Sequence, residues 1–236
     1  MSSLTANRKA ERFYATEGTI LNDRIYNLTL GGIVLYGLVL NALMCYFIGD
    51  KLNDISPIPF IIGYFVCCIT GILLSTKSTN PFISFIGYNL VVIPIGIVVS
   101  MSVSTYVNEG FGDILLPAIV YTAAATAGMI VLSITFPQFF SKLGGILFGA
   151  LLGLVIAEIV TMIFFGNAFT NVYAWIGIVI FSLYIGYDYW KAQEYPKTLD
   201  NAVDSALDLY LDIINLFLKI LQILASSKSS NSSKRK

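Results

Sequence analysis

Residues Asn201–Gln222, NAVDSALDLYLDIINLFLKILQ, decide the reading of the whole chain. The stretch is apolar enough to cross a membrane. It nevertheless carries Asn201, Asp204, Asp208, Asp212, Asn215, Lys219 and Gln222, at steps of three or four residues. On a helix that spacing sets all of them on one face. Ala206, Tyr210, Ile213, Phe217, Ile220 and Leu224 form the opposite, apolar face. A single carboxylate at the bilayer centre costs roughly 2.5–3.5 kcal/mol on insertion scales. The helix is therefore expected at the centre of the fold, with the other spans wrapped around its polar stripe. An enclosed acidic stripe points to a cation or proton site.

Composition supports a membrane setting. Of 236 residues, 56% are hydrophobic and 12% charged, against about 25% charged in soluble domains. Formal net charge is zero, so no basic surface points to nucleic acid. The chain has no His, which removes the usual general base and a common metal ligand. Cys45, Cys67 and Cys68 lie in apolar runs without CxxC spacing and read as reduced packing residues. The first 27 residues are largely polar, so no cleavable signal peptide is expected and targeting falls to the first span.

Seven apolar runs can be read along the chain, at about 28–48, 58–76, 82–104, 113–136, 143–165, 172–190 and 203–225. Each has roughly the 20 residues a bilayer requires. Pro57, Asn80-Pro81 and Pro137 punctuate them. Gly144, Gly145, Gly149 and Gly153 in the fifth are read as sites of close helix approach. Continuous apolar runs argue against a β-barrel. The expected fold is an all-α integral membrane protein, a seven-transmembrane-helix bundle with the last helix central. Its parts are a polar N-terminal segment over 1–27, the membrane domain over 28–225, and a disordered Ser/Lys-rich tail over 226–236.

Seven crossings gather Arg8, Lys9, Arg12, Arg24, Lys77, Lys142, Lys191 and Lys197 on the N-terminal side. Lys51 and the basic residues of the tail fall on the other. The loops favour a cytoplasmic N-terminus by the positive-inside rule, and the tail pulls the other way.

The acids within spans are Glu158, Asp188 and those of the seventh run. Asp188 stands in Ile185-Gly186-Tyr187-Asp188-Tyr189-Trp190. One reading places it at a helix end in the interface, within an aromatic belt. The other pairs it with Asp212 across antiparallel neighbours, which requires the sixth span to end deeper than its aromatic residues suggest. Two close carboxylates share a proton, and their oxygens suit Ca²⁺. Two carboxylates leave a shell of roughly six to eight oxygens incomplete, so binding is weak, as conduction requires. Asp208 and Asp204 read either as a solvated acidic mouth or as a funnel for cations. Lys219 pairs with an acid elsewhere or snorkels.

The run from Ala206 to Phe217, ALDLYLDIINLF, resembles the signature of the Bax-inhibitor-type family, the transmembrane Bax inhibitor motif proteins. Tyr187-Asp188, Asn80-Pro81, Arg24-Ile25-Tyr26 and Thr122-Ala123-Ala124 are supporting matches, and together they cover most of residues 24–225. The resemblance implies a Ca²⁺ leak channel sensitive to pH through a pair of aspartates. The matching positions are Asp188 and Asp212; Asp208, one turn from Asp212, is read from its place on the helix as an acid of the pore mouth. It is similar to a bacterial member, which implies the bacterial plasma membrane. Residues 58–76 carry no charge, so the basic latch that some members place in the second span has no counterpart.

A cation/proton exchanger and a non-conducting scaffold that binds partner proteins are the alternatives. An intramembrane aspartyl protease fits less well: Gly110-Phe111-Gly112-Asp113 precedes Tyr187-Asp188, in the reverse of the expected order. In a retinal pump the acid and lysine of the last span would be one turn apart, and here Asp212 and Lys219 are two. The expectation is therefore no enzyme and no tightly bound cofactor. Calcium ion is the transported substrate, lipid, Ca²⁺ and protons are the partners, and nucleic acid is excluded.

Overall fold

A computed structural model describes residues 20–48, 57–166 and 168–233. Among the described residues seven helices are long and apolar enough to cross a membrane. They are α1 (Asp23–Ile48), α2 (Pro57–Lys77), α3 (Pro81–Asn108), α4 (Leu115–Thr135), α5 (Gly144–Phe165), α6 (Thr170–Glu194) and α7 (Leu199–Ser233). The 3₁₀ turn Gly112–Ile114 leads into α4, and the single turn Pro137–Phe140 follows it. The protein is an all-α integral membrane protein, and no strand occurs among the described residues.

Local chemistry sets the helix ends. Asn22 Oδ1 accepts from Ile25 N–H at 2.8 Å at the start of α1. Asn80 Oδ1 accepts from Phe82 N–H at 3.0 Å before α3, and Thr198 Oγ1 from Asn201 N–H at 3.1 Å before α7. These side chains satisfy first-turn donors that have no intrahelical partner. Gly166 ends α5 at φ 60°, a conformation glycine adopts without strain. Pro94 lies inside α3, which continues through it; membrane helices tolerate proline where neighbouring groups satisfy the freed carbonyl.

The chain divides into two compact units. The first holds the described residues up to Ser100 with Lys191–Tyr210. Its core is built on Tyr88 and Tyr210, both fully buried, with ring centroids 5.8 Å apart. Tyr210 O–H donates to Asn41 Oδ1 at 2.6 Å, and Asn41 Nδ2 donates to the Val92 carbonyl at 3.3 Å. The other unit holds Met101–Trp190 and the chain from Leu211 onward. There Phe140, Leu143 and Leu147 cluster with Leu183, Tyr184, Tyr187 and Trp190.

α7 contributes to both cores. From Asn201 to Ser226 it has no exposed residue, whereas α5 is exposed over most of its length. Burial of the carboxylates on this helix is what a polar stripe in a membrane protein demands: Asp204 and Asp212 are both buried.

Three expectations are corrected. α7 runs to Ser233 rather than ending at 225, so residues 226–233 are helical and not disordered; residues 234–236 lie outside the described residues. Ser226 Oγ donates to Asn171 Oδ1 at 2.7 Å, and Lys228 pairs with Asp113, so contacts to other elements hold the added turns. The glycines of α5 are not packing sites as a group. A Cβ at Gly145, Gly149 or Gly153 would meet nothing within 4 Å, and only Gly144 is approached, by the Tyr187 ring. Close approach occurs instead between α2 and α3, where a Cβ on Gly71 would lie 2.6 Å from the Gly87 carbonyl oxygen and the reverse holds equally. Finally, α6 extends to Glu194, beyond the expected 190. Tyr187 and Trp190 pack on the Phe140 cluster rather than in an interfacial belt.

Candidate cation site on the last two helices

Asp188 and Asp212 both belong to the second unit, and each retains 7% of its accessible surface. The extension of α6 sets Asp188 six residues before the helix end, roughly 9 Å at 1.5 Å per residue.

α6 and α7 run antiparallel. Lys191 Nζ meets Asp208 Oδ2 at 2.8 Å near their connection, Gly177 lies against the Lys219 side chain, and Asn171 meets Ser226 at the far end. Asp188 stands one turn before Lys191, and Asp212 one turn after Asp208. In an antiparallel pair both steps run the same way, so the two buried carboxylates fall within about one turn of each other along the helices. Among the described residues no group of three or more His, Cys, Asp or Glu could hold a metal ion. Two carboxylates supply only part of the roughly six to eight oxygens of a Ca²⁺ shell.

The remaining acids of the stripe are individually matched. Asp208 is ion-paired with Lys191 in the first unit, so its charge is offset where an acidic mouth was expected. Asp204 is buried and accepts from the Ser75 hydroxyl. Asp200 accepts from Ser84 Oγ at 2.6 Å. Asp204 is thus an internal hydrogen-bonded group, not a solvated rim. Asn215 Nδ2 turns back to the Leu211 carbonyl at 2.7 Å. Lys219 pairs with Glu158 of α5 at 2.5 Å, which answers where each of those charges goes.

Ser75, Ser84 and Asn41 do not figure in the reading of the stripe. Asn41 had a visible signal, an amide within the apolar run from Leu30 to Ile48. The two serines had none, because hydroxyls near span ends are common and their partners lie more than 100 positions away in sequence.

Residues 20–229 match the family described as inhibitor of apoptosis-promoting Bax1. The chain belongs to this family. Relatives reach across kingdoms. An uncharacterized protein of Borreliella burgdorferi is 28% identical over 220 residues, covering 84% of this chain and 90% of that protein. The inner membrane protein YbhL of Escherichia coli is 32% identical over 130 residues, 47% of this chain and 56% of YbhL. Bax inhibitor 1 of Saccharomyces cerevisiae is 42% identical over 67 residues, 28% of this chain and 22% of that protein. Matches to the named relatives thus span about half of YbhL and less of the yeast protein.

Proposed function

We propose that this protein is a pH-sensitive Ca²⁺ leak channel in which Asp188 and Asp212 form the proton-sharing cation site. The observation that carries the reading is two buried carboxylates within about one turn of each other on antiparallel helices, one of which is buried or half-buried from Asn201 to Ser226. Two such groups cannot both ionise cheaply, so one proton is shared and the titration belongs to the pair. Loss of that proton leaves a negative, oxygen-rich site suited to a hard cation. Protons and Ca²⁺ then compete, and Ca²⁺ binding weakens as pH falls. With at most two carboxylates in the shell, the ion is held loosely enough to leave.

The protein acts without a resident cofactor and without enzymatic activity, with Ca²⁺ as cargo. Membrane lipid, Ca²⁺ and protons are its partners. Its membrane is the bacterial plasma membrane, a placement supported by the relative named as an inner membrane protein, with the N-terminus cytoplasmic.

Radiolabelled Ca²⁺ uptake into proteoliposomes, measured against pH, tests this. The parent should conduct in a pH-dependent manner, and Asp212→Asn should abolish that dependence. Unchanged dependence would remove Asp212 from the mechanism. Uptake no greater than in empty liposomes would favour a scaffold, and uptake driven only by an opposing proton gradient would indicate an exchanger.

A further inference from the structure

Lys219 lies on the same face of α7 as Asp212, two turns further on, roughly 10 Å at the helical rise. Its ammonium does not stay on that face. It reaches Glu158 on α5 at 2.5 Å, and its stem passes over α6 at Gly177. A Cβ at that glycine would lie 3.1–3.2 Å from the Lys219 Cε, Cδ and Cγ. All three elements belong to the second unit, as do Asp188 and Asp212. Glu158 and Lys219 are both only partly exposed, at 35% and 19% of their side-chain surfaces, in stretches long and apolar enough to cross a membrane. A charge there is costly unless paired, and the pair is neutral as a whole.

We infer that the Glu158–Lys219 pair sets the electrostatic barrier on the cation path beyond the aspartates, with Glu158 cancelling the positive charge of Lys219. The inference rests on the leak reading above and names a control on the same path. The backbone positions of Asp212 and Lys219 differ by roughly 10 Å along α7, and at a separation of that order a unit charge in an effective dielectric of about 20 changes a cation's local population by about tenfold. The sign of the uncancelled charge therefore decides the direction of the effect. Glu158→Gln leaves an unmatched positive charge and should lower Ca²⁺ flux by about tenfold. Lys219→Met keeps an unbranched stem over Gly177 and leaves the Glu158 carboxylate without its cation, so at alkaline pH, where that carboxylate is ionised, it should raise flux by a similar factor. The double variant is neutral again and should conduct like the parent.

The opposite signs separate this role from a structural one, because both single variants break the same ion pair. Flux is measured in proteoliposomes on variants confirmed as folded by thermal unfolding in detergent, with Lys219→Arg as a second, charge-retaining variant expected to stay near the parent. Opposite changes in the single variants with recovery in the double support the inference. A conducting parent whose single variants both lose flux, or neither of whose variants changes it, overturns the inference while leaving the leak reading intact. A parent without flux overturns the leak reading and the inference with it.

Discussion

Ser75 contributes a hydroxyl hydrogen to Asp204, and Ser84 does the same for Asp200. Both serines are buried, as is Asp204. A hydrogen bond to a charged group contributes about 1.5–3 kcal/mol, and stranding the acceptor costs its desolvation. Ser75→Ala should therefore destabilise the protein by about 1–3 kcal/mol in detergent unfolding. Asp204→Asn, which keeps an acceptor for Ser75 and removes the charge, should cost less; a larger loss in Asp204→Asn than in Ser75→Ala would deny the serine this role. The position of Asp204 on the polar stripe was legible from spacing alone, since a period of three to four residues marks one helical face. Its partner was not, because spacing along one helix says nothing of the helix packed against it. Glu158 and Lys219 illustrate the same limit: each stood out as a charge in an apolar run, but the ion pair joins residues 61 positions apart.

Helix packing depends on where small residues meet rather than where they are frequent. The fifth run advertised four glycines, yet three of them face open space, and the tight crossing is at Gly71 and Gly87, one glycine in each of two other helices. Period and composition place the elements because a membrane span must be apolar for about 20 residues. They do not show which face of a span finds a neighbour. A side chain at Gly87 must displace the Gly71 carbonyl or the Ser75 backbone nitrogen, 2.9 Å from the ideal Cβ position, and neither backbone group can move freely. Gly87→Ala should cost about 1–3 kcal/mol, the range for overpacking a close contact. Gly149→Ala meets nothing and should be neutral or stabilising by up to about 1 kcal/mol, because alanine is the better helix former. Thermal unfolding of the two variants side by side checks the contrast; equal losses would mean that α5 uses its glycines after all. The end of α6 is hard to read in sequence for a related reason. Tyr187 and Trp190 look like an interfacial belt in sequence, but the Phe140 cluster takes them up and the helix continues to Glu194.

At the scale of the molecule, seven crossings, an odd number, would set the start of α1 and the end of α7 on opposite sides of the membrane. Basic residues near the spans choose which side is which. Arg24, Lys77, Lys142, Lys191 and Lys197 fall with the N-terminus. Lys228 falls on the other side, and it is ion-paired with Asp113 and lies 5.6 Å from the centre of the Phe111 ring. That pairing offsets one of the charges by which the tail opposes the loops. The bias of the loops should prevail, with the N-terminus in the cytoplasm and the C-terminus outside it. Alkaline phosphatase, active only after export, should therefore be active when fused after Lys236 in bacterial cells, and a fluorescent protein fused at the same point should stay dark. Reversing the sign at Asp113 with Asp113→Lys removes the partner of Lys228 and adds a positive charge to the exported side, so it should shift part of the population toward an inactive phosphatase. A fluorescent C-terminal fusion in the parent would mean that α7 enters the membrane without crossing it, and the enclosed carboxylates of that helix would then open to the same side on which the chain begins.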